Sequence, residues 1–409
     1  MPELLEQYQR KAAAQFIELN TLAIMLPRSG PYARAAAALQ NGLMAAYYAM
    51  PLEQRPRLRF YDSSHPDQAW PLLQQAAQDG ANVVIGPLNK HAVDQLVHAG
   101  ELPIPVLALN RVPLDVTPPA NLYQFALAPE DEAAQIADRA WSDGHSTALI
   151  FTPAGSWGQR IQQSFRNRWE PLGGVVVGAG SYSPKENDFS APIQQLLHLD
   201  QSRTRHRQLQ RLLEDKLHFE PRRRQDADII VLAAKAEKAR QLWPQFQFFR
   251  AGDLPAYTTS RVYSGEPDPR RDVDLEGMRF LDIPWILQDT EKGPLSRKAL
   301  HAQFPGTKGR YARLYAMGID SFNLLPHLLR LRSHPSEVHE GATGRLSMDE
   351  VRRIHRQLLW ARFKGGTPTL LGYTPHIETG LPQAGSASAT ETYTPSAPVR
   401  PAPAEAQGL

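Results

Sequence analysis

Histidines are the first residues of this sequence that could hold a metal or carry out catalysis. None of the thirteen stands in an HExxH pattern or pairs at i,i+4 beside a carboxylate, and these are arrangements that bind catalytic zinc. His91 and His98 lie seven residues apart, with Asp94 as the one acid between them. This spacing favours solvated surface histidines, and no metal or other cofactor is expected.

A second candidate for chemistry is the turn Gly155-Ser156-Trp157-Gly158, which follows a predicted strand as the nucleophile of α/β-hydrolases does. That motif is G-x-S-x-G, and here the residue between the first glycine and the serine is missing. The sequence also contains no SxxK motif and no GxxxxGK[ST] phosphate loop. We therefore expect a strand–helix turn at 155–158 and a protein that is not an enzyme.

Polar residues follow four predicted strands, and they suggest a binding cleft. They are Ser29 and Gly30, Ser63, Asn89 and Asn110. Because parallel strands end at the same edge of a sheet, these residues are expected to line one rim. The amides of the Ser29–Gly30 loop, just before a helix, could hold an anion. Alternatively, Ser29 caps that helix.

Positive charge is concentrated in residues 200–224, which contain eight Arg and Lys against four acids. The segment ends in Arg222, Arg223 and Arg224, the candidate docking residues for an acidic partner or an anionic polymer. Two alternatives stay open. The segment is a solvated surface, or its arginines pair with acids such as Asp226 and Asp228 and hold the next strand in place.

The overall composition limits the classes of protein that can position these residues. The chain has 409 residues, 42% of them hydrophobic and 21% charged, which is ordinary for a soluble chain of two or three domains. The absence of cysteine excludes disulfide scaffolds and thiolate metal sites. A net charge of +3 is low for a nucleic-acid binder, and no apolar run is long enough to span a membrane.

Short apolar runs alternate with helical segments along most of the chain. The predicted strands are Thr21–Leu26, Leu58–Tyr61, Asn82–Ile85, Pro105–Leu109, Thr147–Phe151, Val175–Gly178, Asp228–Ala233 and Pro255–Thr258. Continuously apolar strands separated by helices are typical of a parallel sheet covered on both faces. The sequence therefore predicts an α/β fold with two doubly wound lobes, each with a parallel central sheet, that face each other across a cleft.

The rest of the chain completes these lobes. We expect one long helix at Tyr311–Arg332, and a further helix within Leu346–Trp360 with one or two short strands near its end. An N-terminal helix at 1–19 would be the remnant of an upstream region. Residues 20–124 with about 276–332 would form lobe 1, and 125–275 with about 333–372 would form lobe 2. Residues 373–409 are rich in Pro and Ala and should be disordered.

Several segments are similar to known families. LAIMLPRSGPYARAAAALQNG, VVIGPLNKHAVDQL and NDFSAPIQQLL resemble type I periplasmic solute-binding folds. FEPRRRQDADIIVLAAKAEKARQL, AGDLPAYTTSRVYSG, DLEGMRFLDIPWIL and GATGRLSMDEVRRIHRQLLWARF resemble the penicillin-binding-protein activators, the LppC/LpoA lipoprotein family. The second resemblance covers about residues 15–372.

The resemblance to the activators implies a periplasmic regulator at the inner face of the outer membrane. Such a protein binds a class A bifunctional penicillin-binding protein and stimulates peptidoglycan synthesis, with peptidoglycan as a further partner. Family members carry a lipidated cysteine and a helical-repeat domain that this sequence lacks. A lipid anchor is therefore implied only for a longer parent protein.

The resemblance to solute receptors implies a different function. In those proteins the ligand is held at positions that match Ser29–Gly30, Asn89, Asn110 and Tyr182, although Asn89 stands where a serine is expected. The alternative function is therefore a periplasmic receptor for a small amino-acid-like or muropeptide ligand.

Overall fold

The structure, a computed structural model, describes residues 17, 19–113, 116–214, 218–288 and 293–375. The helix expected at 1–19 and the tail expected at 373–409 lie almost wholly outside the described residues. No helix among those residues is long and apolar enough to cross a membrane.

An eight-stranded sheet forms the first half of the fold. Its order is β11-β12-β13-β5-β4-β3-β1-β2. Strands β1 to β5 and β13 run parallel, whereas β11 and β12 pair antiparallel. The strands are β1 (Thr21–Leu26), β2 (Arg57–Asp62), β3 (Val83–Ile85), β4 (Val106–Ala108), β5 (Leu122–Phe125), β11 (His339–Gly341), β12 (Gly344–Met348) and β13 (Arg353–Gln357). Every residue of β3, β4 and β5 is buried, because helices cover both faces of a parallel sheet.

Two of the helices associated with this sheet approach each other very closely. The helices are α1 (Ala33–Ala49), α2 (Ala69–Gln78), α3 (Lys90–His98), α12 (Ala312–Asn323) and α13 (Leu328–Ser333). A Cβ atom at Gly42 of α1 would lie 2.0 Å from the carbonyl oxygen of Tyr315, and one at Gly318 of α12 would lie 2.0 Å from that of Leu39. Glycine is therefore required at both positions for α12 to pack on α1.

A seven-stranded sheet forms the second half, in the order β15-β14-β10-β9-β8-β6-β7. Strands β6 to β10 run parallel, and β14 and β15 are antiparallel additions. The strands are β6 (Thr147–Pro153), β7 (Val175–Tyr182), β8 (Ile229–Leu232), β9 (Ala256–Thr258), β10 (Arg279–Asp282), β14 (Leu359–Lys364) and β15 (Thr367–Gly372). The remaining helices are α4 (Pro129–Ser142), α5 (Ser156–Trp169), α6 (Ser190–Leu196), α7 (Leu199–Leu213), α8 (Ala236–Phe248), α9 (Pro269–Asp272), α10 (Pro284–Leu287) and α11 (Arg297–Gln303). The predicted α/β class with two mainly parallel sheets is confirmed.

The chain crosses between the two sheets three times, after β5, after β10 and after β13. The boundaries expected from the sequence need correction at two of these crossings. Strand β10 lies in the second sheet, although 276–332 was assigned to lobe 1, and β11 to β13 lie in the first sheet, although 333–372 was assigned to lobe 2. Short strands carry no sequence signal for which sheet they join, because both sheets accept the same apolar residues.

Local structure differs from expectation in three places. The helix expected at Tyr311–Arg332 is interrupted at Leu325–His327, where Pro326 cannot donate a backbone hydrogen bond. The helix expected within Leu346–Trp360 is wrong, since strands occupy this region around a turn in which Arg352 has φ of +61°. Helix α7 was not expected at all, because its sequence has few apolar residues to mark it.

Candidate functional site

The loops after β1 and β2 lie side by side at the rim of the first sheet. The amide of Arg28 donates to Asp62 Oδ1 at 3.0 Å, and the amide of Ser29 donates to Ser64 Oγ at 2.9 Å. The Ser64 hydroxyl donates to the same carboxylate oxygen at 2.5 Å. These donors, the Ser64 hydroxyl foremost, hold the pKa of Asp62 below its ordinary value. Groups of the chain itself thus already occupy the amides that were expected to hold an anion.

Ser29 and Gly30 lie on this rim and are exposed. Helix α1 begins only at Ala33, and its N-cap is Tyr32 without a side-chain hydrogen bond. The alternative that Ser29 caps the helix is therefore wrong. Gly30 has φ of +77° with open space where a Cβ atom would lie. Its role is therefore to adopt the left-handed backbone conformation of this turn. Ligand binding by these two residues stays a prediction.

The two asparagines of the rim are engaged with the backbone. Asn89 is the N-cap of α3, and its Oδ1 accepts from the His91 amide at 2.8 Å. Asn110 donates from Nδ2 to the Leu88 carbonyl at 2.9 Å and accepts from the Arg111 amide. Both side chains therefore fix the loops that follow β3 and β4. Their candidacy as ligand-binding groups stays a prediction, and ligand binding would compete with these bonds.

Ser63 and Tyr182 are buried at the ends of β2 and β7. The Ser63 hydroxyl lacks a hydrogen-bond partner among the described residues. Tyr182 donates its phenol hydrogen to the Ala233 carbonyl at 3.0 Å and packs against Phe151 and Phe189, and burial raises its pKa. Strand β7 continues to Tyr182 instead of ending at Gly178, which places this side chain in the core rather than in a cleft.

At the rim of the second sheet, the loop after β6 leads into α5 and brings Trp157 close to Arg261, a contact that the sequence did not predict. The expected strand–helix turn is confirmed at Gly155, which has φ of +111°, but residues 156–158 already belong to α5. The Arg261 guanidinium lies 5.2 Å from the centre of the Trp157 ring, within the range of a cation–π contact. Arg261 is exposed, so this pair presents one cation and one aromatic face at the rim.

The three arginines at 222–224 have different environments. Arg224 is 8% exposed and makes a bidentate pair with Asp226, with both distances 2.7 Å, and it also donates to the Val177 carbonyl. Arg223 is 10% exposed and pairs with Asp253. The side chain of Arg222 is exposed. The docking role of this triplet stays a prediction, and Arg222 is the member best placed for it.

The structural alternative for the triplet is confirmed in part. Arg224 does pair with the neighbouring acid Asp226. Asp228, however, accepts from the amides of Ser146 and Thr147, both at 3.0 Å. Asp228 therefore ties the starts of β6 and β8 together without an arginine.

Buried charges at the crossings between the sheets are the largest feature that sequence reasoning missed. Arg313 of α12 pairs with Asp282 at the end of β10, and Glu132 of α4 accepts from the amide and hydroxyl of Ser260, both at 2.9 Å. Burial raises the pKa of Glu132. On the other side, Arg111 pairs with Asp131 at 2.7 Å and donates to the Ile354 carbonyl. These bonds connect elements of both sheets.

Arg356 of β13 lies at the centre of this group. Its side chain is fully buried, and its Nε and Nη2 atoms have no hydrogen-bond partner among the described residues. Burial lowers its pKa, while Asp131 and Glu132 act in the opposite direction. No local motif marks these residues, since the partners come from distant parts of the sequence. The arrangement connects α4 and α12 with strand ends of both sheets.

A family model described as "LppC putative lipoprotein" matches residues 5–366. Among curated relatives, the chain is 29% identical to the penicillin-binding protein activator LpoA of Vibrio antiquarius, over 87% of this chain and 59% of that protein. It is 30% identical to the LpoA of Serratia proteamaculans, over 78% of this chain and 48% of the relative. The chain thus spans less than two thirds of the length of these relatives.

Solved structures share the fold. Full-length LpoA of Haemophilus influenzae matches with a TM-score of 0.68 at 23% identity, over 87% of this chain and 60% of that one. The C-domain of the same protein, described as a regulator of PBP1A, matches with a TM-score of 0.67 at 23% identity, over 86% of this chain and all of the domain. A branched-chain amino acid ABC transporter protein of Chromobacterium violaceum matches with a TM-score of 0.61 at 26% identity, over 84% of this chain and all of that one. The fold is that of type I periplasmic binding proteins.

Proposed function

The chain belongs to the LppC lipoprotein family, and from this membership we propose that it binds a class A penicillin-binding protein and stimulates peptidoglycan synthesis. The observation that carries the proposal is the family match over residues 5–366. Relatives that bear the activator name align with 87% and 78% of the chain. Because the chain spans only part of those relatives, its activity on a synthase is a proposal for this module.

The proposed mechanism is conformational rather than catalytic. An activator shifts a synthase toward its active state only if it binds that state more tightly than the inactive one. The rim residues Asn89 and Asn110 bond to the backbone of their own loops, and charged residues at the crossings connect the two sheets. A stable surface that recognises one conformation of a partner suits this role.

The proposed location is the periplasm, at the inner face of the outer membrane in the longer parent protein. Membership in a lipoprotein family supports association with the cell envelope. Peptidoglycan is a proposed further partner, because the synthase and its activator meet where the polymer is made.

The structural similarity to the Chromobacterium violaceum transporter protein supports the alternative function as a receptor. A receptor of this type closes its lobes around a ligand held at the strand ends. Here the amide groups at those ends are bonded within the chain, as for Arg28 and Ser29. A thermal-shift screen with amino acids and muropeptides tests the alternative, since a ligand that binds the native state raises Tm.

The decisive experiment measures peptidoglycan synthesis by the class A penicillin-binding proteins of the same organism, with and without micromolar chain. Stimulation of one synthase supports the proposal and shows that this module suffices. If the chain neither binds nor stimulates any of them while a muropeptide or amino acid raises its Tm, the activator function is wrong for this module and the receptor function replaces it.

A further inference from the structure

Helix α7 contacts the rest of the protein through its first half, where the His206 ring also lies 4.2 Å from the Phe219 ring. Of its fifteen residues, Leu199 and Ser202 in the first turn are buried, and the remainder are exposed or half-buried. A polar helix of this length is marginal in water unless packing stabilises it. The chain therefore maintains an element whose second half makes little contact with the body of the protein.

One side of α7 carries a stripe of positive charge. Arg203, Arg207 and Arg211 are spaced four residues apart, so they follow one another along the helix at intervals of about 6 Å. Arg203 donates to Gln194 and Arg207 to Thr204, both neutral groups. Within the described part of the chain, none of the three forms an ion pair with a carboxylate, and the one acid on the helix is Asp200.

The other side of α7 carries exposed leucines near its C-terminal end. Leu209, Leu212 and Leu213 are 50%, 78% and 60% exposed. Three large aliphatic side chains within five residues are an unusual concentration of exposed apolar surface on a soluble protein, and such patches mark interaction sites. Arginine beside apolar residues is a composition enriched in protein interfaces.

We propose that α7 is the docking element for an acidic groove on a protein partner, in which carboxylates of one wall pair with its arginines and apolar residues of the other wall pack against its leucines. The inference rests on the proposed function and assigns this surface to the synthase. Arg222 extends the same surface, because its backbone amide donates to Ser202 Oγ of α7 and its side chain is exposed. All four cations on the helix are arginines, whose planar groups pair carboxylates with two parallel hydrogen bonds.

A protein partner fits α7 better than a lipid surface does. Arg205 precedes Leu209 by four residues and Leu212 by seven, so it lies on the same side of the helix as the leucines. Inserting this side into a bilayer would carry the guanidinium of Arg205 toward the apolar phase, and the helix has no aromatic residue to anchor it. A protein surface can meet Arg205 with a carboxylate.

The test uses the whole chain with the charge-reversal variant Arg203→Glu/Arg207→Glu/Arg211→Glu and a matched control, Arg57→Glu/Arg270→Glu/Arg362→Glu. The control makes the same change in net charge at exposed arginines of β2, α9 and β14. Binding to the class A penicillin-binding proteins is measured by biolayer interferometry over a range of salt concentrations, beside the synthesis assay. Circular dichroism and Tm establish that each variant is folded.

We expect the α7 variant to bind the synthase at least about tenfold more weakly and with less salt dependence, while the control stays within about threefold of the wild type. Leu209→Ser/Leu213→Ser should weaken binding at all salt concentrations alike.

If the wild type stimulates a synthase and the α7 variant does so equally well, the docking inference fails and the proposed function stands. If the wild type neither binds nor stimulates a synthase, the proposed function fails, and the inference fails with it. Wild-type binding to phosphatidylglycerol vesicles that is lost in the α7 variant, without such a loss on the synthase, would assign α7 to a membrane and overturn the inference.

Discussion

Arg313, which is 18% exposed, and the fully buried Asp282 form a bidentate ion pair across the junction of the two sheets. Nε of Arg313 lies 2.8 Å from Oδ1 of Asp282, and Nη2 lies 2.5 Å from Oδ2. Arg313 belongs to α12, which packs on α1 beside the first sheet, whereas Asp282 ends β10 of the second sheet. The same guanidinium donates to the Ser260 carbonyl. One side chain thus connects a helix of the first half to two strand ends of the second.

Replacing Arg313 with methionine should lower the free energy of unfolding by about 3–5 kcal/mol, because it leaves the Asp282 carboxylate buried without its cation. Urea denaturation followed by circular dichroism measures the loss. The double variant Arg313→Met/Asp282→Asn removes the uncompensated charge and should recover part of the stability. A loss below about 1 kcal/mol in the single variant would show that the pair does not hold the junction.

Neighbouring arginines should differ in their effect on stability. Arg224→Ala removes bonds to Asp226 and to the Val177 carbonyl, so it should cost about 1–3 kcal/mol in unfolding free energy. Arg222→Ala changes an exposed side chain and should stay within about 0.5 kcal/mol of the wild type. Urea unfolding of the two single variants makes the comparison. Equal losses in both would contradict the different environments of the two side chains.

Asp320 should make stability depend on pH. Its carboxylate is buried in α12 and accepts from the amides of Ala342 and Thr343 and from the Thr343 hydroxyl. Burial raises its pKa from 3.8 to about 6. Because the folded state favours the protonated form, the stability that Asp320 contributes is complete below pH 4 and is lost as the pH rises through 6.

The measurement is the unfolding free energy of the wild type minus that of Asp320→Asn, taken at several pH values. The asparagine does not titrate, and the other groups of the protein cancel in the difference. We expect this difference to fall by about 2 kcal/mol between pH 4 and pH 7. A difference that is constant over this range, or that rises, would contradict the raised pKa.

Asn89 and Asn110 should matter for stability rather than for function. Asn89→Ala removes the cap of α3 and should cost about 1 kcal/mol, and Asn110→Ala should cost about as much through its lost bond to the Leu88 carbonyl. Stimulation of the synthase should stay at the wild-type level in both variants, with Tm as the check on folding. Loss of stimulation in a variant that is still folded would show that the substituted asparagine takes part in binding.

Much of the fold could be predicted from the sequence, because buried parallel strands are short and continuously apolar. Strand β1 was predicted with its observed bounds, and β8 within one residue at each end. The region after Leu346 could not be predicted, since SMDEVRRIHRQLL has good helix formers. There the tertiary pairing of β12 with β13 decides the conformation.

The candidate site was harder to predict, because side-chain partners are not local. Tyr182 has the residue type of a cleft group, yet strand β7 extends four residues beyond its predicted end and places Tyr182 against Phe151. The pair Arg313–Asp282 spans 31 residues, and Arg111 and Asp131 span 20. Neither separation follows a periodicity that a sequence pattern could reveal. Basic residues 203–211 were recognised as a charge cluster, but the helix that arranges them was not.

The second crossing of the chain, which returns it to the first sheet after β10, has a consequence for how this protein folds. Strand β5 pairs with β13, and Gln124 lies opposite Arg353. This part of the first sheet therefore cannot form before β13 is available. More than two hundred residues separate the two strands, and until β13 has docked, the edge of β5 offers unpaired backbone groups to any other extended chain. Contacts so far apart in sequence also form slowly. Folding from the N-terminus alone therefore cannot complete either sheet, because the first needs the chain up to Gln357 and the second needs it up to Gly372.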